Sequence, residues 1–203
     1  MITTIDVETS YQKTEAGGMD PSPFNPQNIL VSVGVNDEYY FTNHSERVDE
    51  GCYHKIQKIL DDTKLLIGHN LKFDLSWLLE SGFKYDGNVY DTMIGEYILN
   101  RGIRKSLTLQ MCCQRRKIGA KDDRIKEWMD RGISFENIPA DIVEEYGKID
   151  VAITRKLFDS QMEDLRADKN KHLLKTVKMM NEFLIVLTDM ERNGININLA
   201  DLS

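Results

Sequence analysis

Residues Ile2-Thr3-Thr4-Ile5-Asp6-Val7-Glu8-Thr9-Ser10 run from apolar and β-branched positions straight into two carboxylates. The composition is that of a strand, and side chains on a strand repeat every second residue, so Asp6 and Glu8 leave the same face. Two like charges side by side repel, and burying them uncompensated is costly. A divalent cation resolves the conflict, because Mg²⁺ and Mn²⁺ prefer carboxylate oxygens. Yet 33 acidic residues in 203 also produce such pairs by chance. The D-x-E pattern acquires meaning only from the rest of the chain.

Tyr11 to Asn28 is polar, with Gly17-Gly18 and Pro21, Pro23 and Pro26. That composition excludes a helix or central strand and predicts a surface loop, which reads either as a substrate grip or as an ordinary variable insertion. Ile29 to Val35 reads as a buried strand, Asn36-Asp37 as a turn, and Glu38 to Thr42 as the antiparallel partner, with the first strand beside this hairpin. Val48 to Asp61 has helical periodicity, with Ile56, Ile59 and Leu60 on one face. Leu65 to Gly68 is a short apolar strand ending at His69-Asn70. Phe73 to Ser81 is a helix with Phe73, Trp77 and Leu78 as its core stripe and Gly82 in the capping position. Asn88 to Tyr90 is a last strand, and Asp91 can cap a helix from Thr92 to Asn100. This order predicts an α/β fold with a mixed central sheet of about five strands flanked by helices. The second half reads as helical, over Ser106 to Cys113, Asp122 to Arg131, Asp141 to about Arg166, and about Lys171 to Asn193.

Two later clusters supply further acids. Asp74 follows His69-Asn70 into the first turn of a helix, the kind of place where open sheets bind ligands and where the helix dipole favours an acid. Tyr146 and Asp150 are four apart, so on a helix they point the same way. Ile142, Ile149 and Ile153, with Ala152 beside them, describe the buried face and put Asp150 near its boundary. Gly147 in mid-helix costs about 1 kcal/mol relative to alanine and predicts close approach by another backbone. His69 reads as a packed or turn histidine, since oxygen suits these metals better than imidazole, and Phe73 reads as core.

The bulk numbers narrow the class. A 203-residue chain, 41% hydrophobic and 29% charged, suits one domain with or without an appendage. No apolar run approaches a membrane span, and acid follows Ile5 too soon for an export segment. Cys52, Cys112 and Cys113 fit neither a disulfide framework nor a zinc motif, so a reducing cytoplasm is the expected compartment. The net charge of −7 argues only weakly against nucleic acid, because acids gathered around a metal count as negative while being neutralised.

Taken together, D-x-E on the first strand, H-N-x-x-x-D between strand and helix, and Y-x-x-x-D on a late helix occur in that order. This resembles the DEDD superfamily of 3′-5′ exonucleases, in its tyrosine subgroup, and is most similar to the proofreading domain of family A DNA polymerases. The resemblance runs from Ile2 to roughly Asp159 and includes Asp91-Thr92. It implies a ribonuclease H-like fold and an exonuclease domain over residues 1–166. Asp189 to Ile195 is similar to the segment leading into the polymerase domain of such enzymes, so 167–203 is expected to form a C-terminal helix and the start of a junction toward a polymerase domain that the sequence does not contain. If so, Met179, Met180, Phe183, Leu184 and Leu187 form a helix face deprived of its usual cover, which favours self-association.

The same resemblance implies two divalent ions, Mg²⁺ or Mn²⁺. Asp6, Glu8 and Asp150 would hold the one that activates water, and Asp6 would bridge to the second, with Asp74 nearby directly or through water. Tyr146 would orient the attacking water; its phenol is too weak an acid to be the base itself. The implied substrate is the 3′ end of single-stranded DNA, the product a nucleoside 5′-monophosphate, and the implied partner a DNA polymerase domain or subunit, with no membrane involved. Thr9 and Asn70 match positions near the terminal nucleotide, and read equally as a strand-end cap and a turn residue. Arg101, Arg104, Lys105, Arg115, Arg116, Lys117 and Lys121 read either as phosphate contacts, Arg115 and Arg116 foremost, or as a solvated basic helix pair. Two alternatives stand beside this reading. One is an exonuclease trimming RNA 3′ ends, and the other is a silent module that binds nucleic acid or a polymerase. The silent module predicts lost carboxylates, whereas all four are present.

Overall fold

The computed structural model describes residues 1–119 and 124–195. In chain order these form β1 (Ile2–Thr9), β2 (Gln12–Lys13), β3 (Met19–Asp20), β4 (Leu30–Val35), β5 (Glu38–Phe41), α1 (Cys52–Asp61), β6 (Leu65–Gly68), α2 (Leu71–Glu80), β7 (Asn88–Asp91), α3 (Thr92–Leu99), α4 (Leu109–Arg116), α5 (Arg124–Asp130), α6 (Ala140–Arg166) and α7 (Leu173–Asn193). Lys121, Asp122 and the residues after Ile195, which carry part of the sequence expectations, lie outside the described residues.

The main sheet has five strands in the order β5-β4-β1-β6-β7. β1 pairs antiparallel with β4 and parallel with β6, so the first strand lies at the centre of a mixed sheet, as its apolar start predicts. Helices cover both faces. Ile5 and Val7 of β1 enter one core with Ile56 and Leu60 of α1, Leu75 and Leu78 of α2, and Leu184 of α7. On the other face Val31, Tyr39 and Phe41 pack with Ile125 of α5 and Val143 and Tyr146 of α6. The large aromatic and aliphatic side chains shared among these layers supply most of the apolar burial that drives folding.

Local differences from the expected elements have local causes. The stretch after β1 is a loop that holds the small β2–β3 hairpin, turned at Gly17 with φ 78°, a conformation that glycine adopts without a Cβ penalty. α1 starts at Cys52 rather than Val48, because Gly51 takes a left-handed conformation with φ 66°. α2 starts two residues earlier than the sequence suggests and closes at Gly82, whose φ is 92°, with the Phe83 amide donating to Leu78 O at 3.0 Å. α4 begins after Thr108, whose hydroxyl caps the Met111 amide, not at Ser106. α7 packs Val177, Asn181, Leu184 and Thr188 inward and leaves Met179, Phe183, Val186 and Met190 exposed. Of the apolar residues expected on its bare face, Leu184 is thus core, and Met180 and Leu187 are half-buried. Among the described residues no helix is long and apolar enough to cross a membrane.

Candidate active site

β1 delivers the first two acids. With Ile5 and Val7 committed to the α1–α2 layer, alternation turns Asp6 and Glu8 toward α6. Glu8 is buried and Asp6 half-buried. The β1–β4 register shifts between Glu8 and Thr9, a bulge of the kind that re-aims side chains beside functional sites, and Thr9 is buried there.

Asp74 reaches the same strand from its edge. β6 pairs with β1 only from Ile2 to Thr4, after which it ends and α2 begins, leaving that side of β1 open. Asp74, in the first turn of α2, fills the gap, and its Oδ1 accepts the Val7 amide proton at 3.0 Å. The carboxyl is buried, and burial pushes it well above the ordinary range. The neighbouring charge of Asp6 pushes the same way, against the stabilising bond from Val7.

Asp91 fixes the turn that presents Asp74. Its Oδ1 accepts from Met93 N at 2.8 Å and Asn70 N at 2.9 Å, and its Oδ2 from Leu71 N at 3.1 Å. One side chain therefore caps α3 and ties down the start of α2. Burial still dominates those bonds and raises the Asp91 carboxyl to about 6. Asn70 sits in the left-handed region at φ 63°, which asparagine tolerates better than most residues, and its side chain is exposed beside the site. His69 is a packed turn residue, with Nδ1 2.8 Å from Thr92 Oγ1 and Nε2 2.8 Å from Leu107 O. Phe73 packs against the core.

α6 brings the last two groups across the sheet. Tyr146 and Asp150 are both buried on its inner face. The Tyr146 phenol is pushed far above its usual value, first by burial, then by the charges of Glu8, Asp150 and Asp6, with a hydrogen bond to Asp150 acting in the same direction. These effects on Tyr146 put it within electrostatic reach of both β1 acids and of Asp150. They also hold the phenol protonated, as a donor. Asp150 lies in the middle of the buried arc, not at the boundary inferred from Ile142, Ile149 and Ile153. Sheet and helices cover α6 on more than one side, so its apolar residues spread too widely for the sequence to locate an edge. Among the described residues, no three His, Cys, Asp or Glu side chains stand together as an assembled metal cage.

The family model for the 3′-5′ exonuclease of DNA polymerase A type matches residues 12–166. The chain belongs to this exonuclease family. The matched stretch contains Asp74, Tyr146 and Asp150 and begins after β1, which carries Asp6 and Glu8. Among curated relatives, DNA polymerase I of Borreliella burgdorferi is 28% identical over 141 residues, covering 70% of this chain and 15% of that protein. DNA polymerase I of Aquifex aeolicus is 29% identical over 150 residues, 72% of this chain and 24% of the relative. The chain thus spans less than a quarter of the length of these polymerases. Among solved structures, Brucella melitensis NrnC with bound Mg²⁺ has a TM-score of 0.66 at 17% identity, covering 95% of this chain and 86% of that one. The catalytic core of RRP6 from Trypanosoma brucei has a TM-score of 0.60 at 15% identity, covering 90% and 45%. At such identities the likeness is one of fold, the ribonuclease H-like exonuclease architecture expected from the sequence motifs.

The two arginines expected to meet substrate phosphate have partners inside the fold. Arg116 Nε donates to Glu96 Oε2 at 2.8 Å, and its Nη1 to Asp164 Oδ2 at 2.8 Å and Ser160 Oγ at 3.0 Å. Arg115 Nη2 donates to Glu96 Oε1 at 3.2 Å and its Nη1 to Ser106 O at 2.7 Å. Glu96 is buried, and no periodicity in the sequence announced that it would need neutralising. A further pair, Tyr39 and Ser32, escaped the motifs altogether. Tyr39 Oη lies 2.8 Å from Ser32 Oγ, and burial, then the charge of Glu8, raises the phenol's pKa well above its usual value. The group packed against Gly147 is the Tyr39 side chain, where the sequence had suggested another backbone.

Proposed function

We propose that this chain removes nucleotides from the 3′ end of single-stranded DNA, releasing nucleoside 5′-monophosphates, as the proofreading part of a family A DNA polymerase. One observation carries the reading: the charge of Asp6 acts on Asp74 of α2, and the charges of Glu8, Asp150 and Asp6 act on Tyr146 of α6, so groups from β1, α2 and α6 meet at one gap. Acids brought together in this way, with Asp6 adding to the burial that raises Asp74, fit hard divalent cations, Mg²⁺ or Mn²⁺, by donor chemistry and charge. The fit rests on those two properties, since the side chains do not form a ready-made cage. Asp6, Glu8, Asp74 and Asp150 would hold two ions, which when bound supply activation of water and stabilisation of the leaving 3′-oxygen. Tyr146 stays protonated and donates to Asp150 or to the incoming water, orienting it for in-line attack. Asn70, exposed at the turn before Asp74, would hydrogen-bond the terminal sugar or phosphate, and Thr9, at the bulge that ends β1, would shape the strand end. The partners would be the DNA 3′ end and a polymerase domain or subunit. The compartment would be a bacterial or phage-infected cytoplasm, which suits three free cysteines, two of them (Cys112 and Cys113) held up at about 11 by burial.

The test is a time course on a 5′-labelled single-stranded DNA oligonucleotide with Mg²⁺ or Mn²⁺, beside an identical RNA and an EDTA control. A descending DNA ladder abolished by EDTA is the expected result. A faster RNA ladder would move the protein to RNA 3′-end trimming, a reading compatible with its fold likeness to NrnC, one structure of which is bound to pGG. No ladder on either polymer would favour a silent binding module.

A further inference from the structure

Strand register places Asp6 of β1 opposite Gly34 of β4, and Gly34 opposite Tyr39 of β5. Because Gly34 has no side chain, Val151 of α6 and the Tyr39 ring both close over β4, where a Cβ on Gly34 would stand 2.8 Å from Val151 Cγ2 and 3.2 Å from Tyr39 Cδ2. The hydroxyl end reaches the next row, 2.8 Å from Ser32 Oγ, and Ser32 is paired opposite Glu8. The ring also meets α6 at Gly147, where a Cβ would come within 2.6 Å of Tyr39 Oη and overlap the ring carbons. Gly147 directly follows Tyr146 and is three residues before Asp150. The Tyr39 ring, with a glycine on the strand side and a glycine on the helix side, therefore fills the space beside Val151 between the sheet and this turn of α6. Glycine inside a helix costs about 1 kcal/mol relative to alanine, so a close approach is the physical reason for it here.

We propose that Tyr39 is a positioning residue of the exonuclease centre, a spacer between Gly34 and Gly147 that fixes the height of Tyr146 and Asp150 above Asp6 and Glu8. The inference rests on the exonuclease reading given above. A side chain added at Gly147 pushes the helix away from the carboxylates, and loss of the ring lets the helix settle too close. Either error misplaces the α6 groups. A smaller residue at 39 combined with a larger one at 147 restores the spacing, which simple loss of packing does not do. The hydroxyl bond to Ser32 only orients the ring, so Tyr39→Phe keeps the spacer.

The experiment compares the full chain with Gly147→Ala, Tyr39→Leu, the double variant and Tyr39→Phe, all checked by circular dichroism and melting. The readouts are kcat and KM on single-stranded DNA, and Mn²⁺ affinity by calorimetry without nucleic acid. Each single spacer variant should lower kcat about 10- to 100-fold, the penalty for an ångström-scale misplacement, with KM little changed and Mn²⁺ bound more weakly. The double variant should recover about tenfold over either single, a coupling of the size seen between neighbours, and Tyr39→Phe should match the parent. Losses that multiply in the double variant, or a Gly147→Ala protein with parental kcat and Mn²⁺ affinity, would overturn the spacer. If Gly147→Ala does not fold, Tyr39→Leu against Tyr39→Phe decides, since equal kcat in those two refutes it. If the parent cleaves neither polymer, the exonuclease reading falls. The Mn²⁺ affinities of the four variants and the parent then judge the spacing separately, with coupling supporting it and additivity rejecting it.

Discussion

The two halves of α6 each face a buried acidic cluster, and the clusters are built on opposite principles. Around Gln161 and Asp164, Glu96 is buried yet ionised. Burial opposes its charge, but Arg116, Gln161 and Arg115 outweigh it and hold the carboxyl below its ordinary range. Around Tyr146 and Asp150 the neighbours of an acid are other acids, and the Asp74 carboxyl is driven upward by burial and by Asp6. The first cluster spends its charges on holding α3, α4 and α6 together. The second gathers acids from three elements at the carboxyl end of the central strand, where open α/β sheets bind ligands.

The largest expected effect separates the clusters by function. Asp74→Asn should lower exonuclease activity by about 10²- to 10³-fold or more in the oligonucleotide assay, the scale for losing one preorganised electrostatic group. Its metal-free melting temperature should stay level or rise, because the amide oxygen can still accept from Val7 while a repelled charge is gone. A fall in both would make Asp74 structural and erase the contrast. Next, Arg116→Ala leaves Glu96 and Asp164 facing each other without that guanidinium and should cost about 3 kcal/mol, as broken buried pairs do, read from denaturant midpoints. Preserved stability with weakened DNA binding would return Arg116 to the phosphate-contact role.

pH sharpens the comparison further. Asp91 and Asp74 have folded values above the ordinary 3.8, so the unfolded chain ionises first as pH rises. Metal-free stability should therefore decline from about pH 4 to about pH 6, where Asp91 itself titrates. Glu96 has the opposite sign. Its contribution is present above the ordinary 4.5 and is lost as pH falls through its lowered folded value. Thermal melts across pH should show Asp91→Asn flattening the upper limb and Glu96→Gln the lower. Mg²⁺ should restore stability on the upper limb, since a cation favours ionised carboxylates. No Mg²⁺ effect there would count against metal binding at these acids. The smallest effect concerns the link to α7. Asn181 Oδ1 accepts the buried Asp91 amide at 2.6 Å, and Asn181→Ala should cost about 1–3 kcal/mol in the same melts by orphaning that donor.

The sequence by itself determined the central strand, the order of strands and helices, and the acids worth testing. Those depend on period-two and period-3.6 patterning and on residue chemistry, which are local properties. Even the cost of Gly147 was legible, though not its cause. Tertiary structure decided who meets whom. β6 stops after pairing with Thr4, and that alone opens the edge where Asp74 reaches Val7. Arg115 and Arg116 looked like free cations in a basic run until the fold brought Glu96 beneath them. Tyr39 looked like any strand aromatic until Gly34 and Gly147 closed on either side of it. Charge compensation and steric fit act across space between segments far apart in the chain, so no local pattern encodes them.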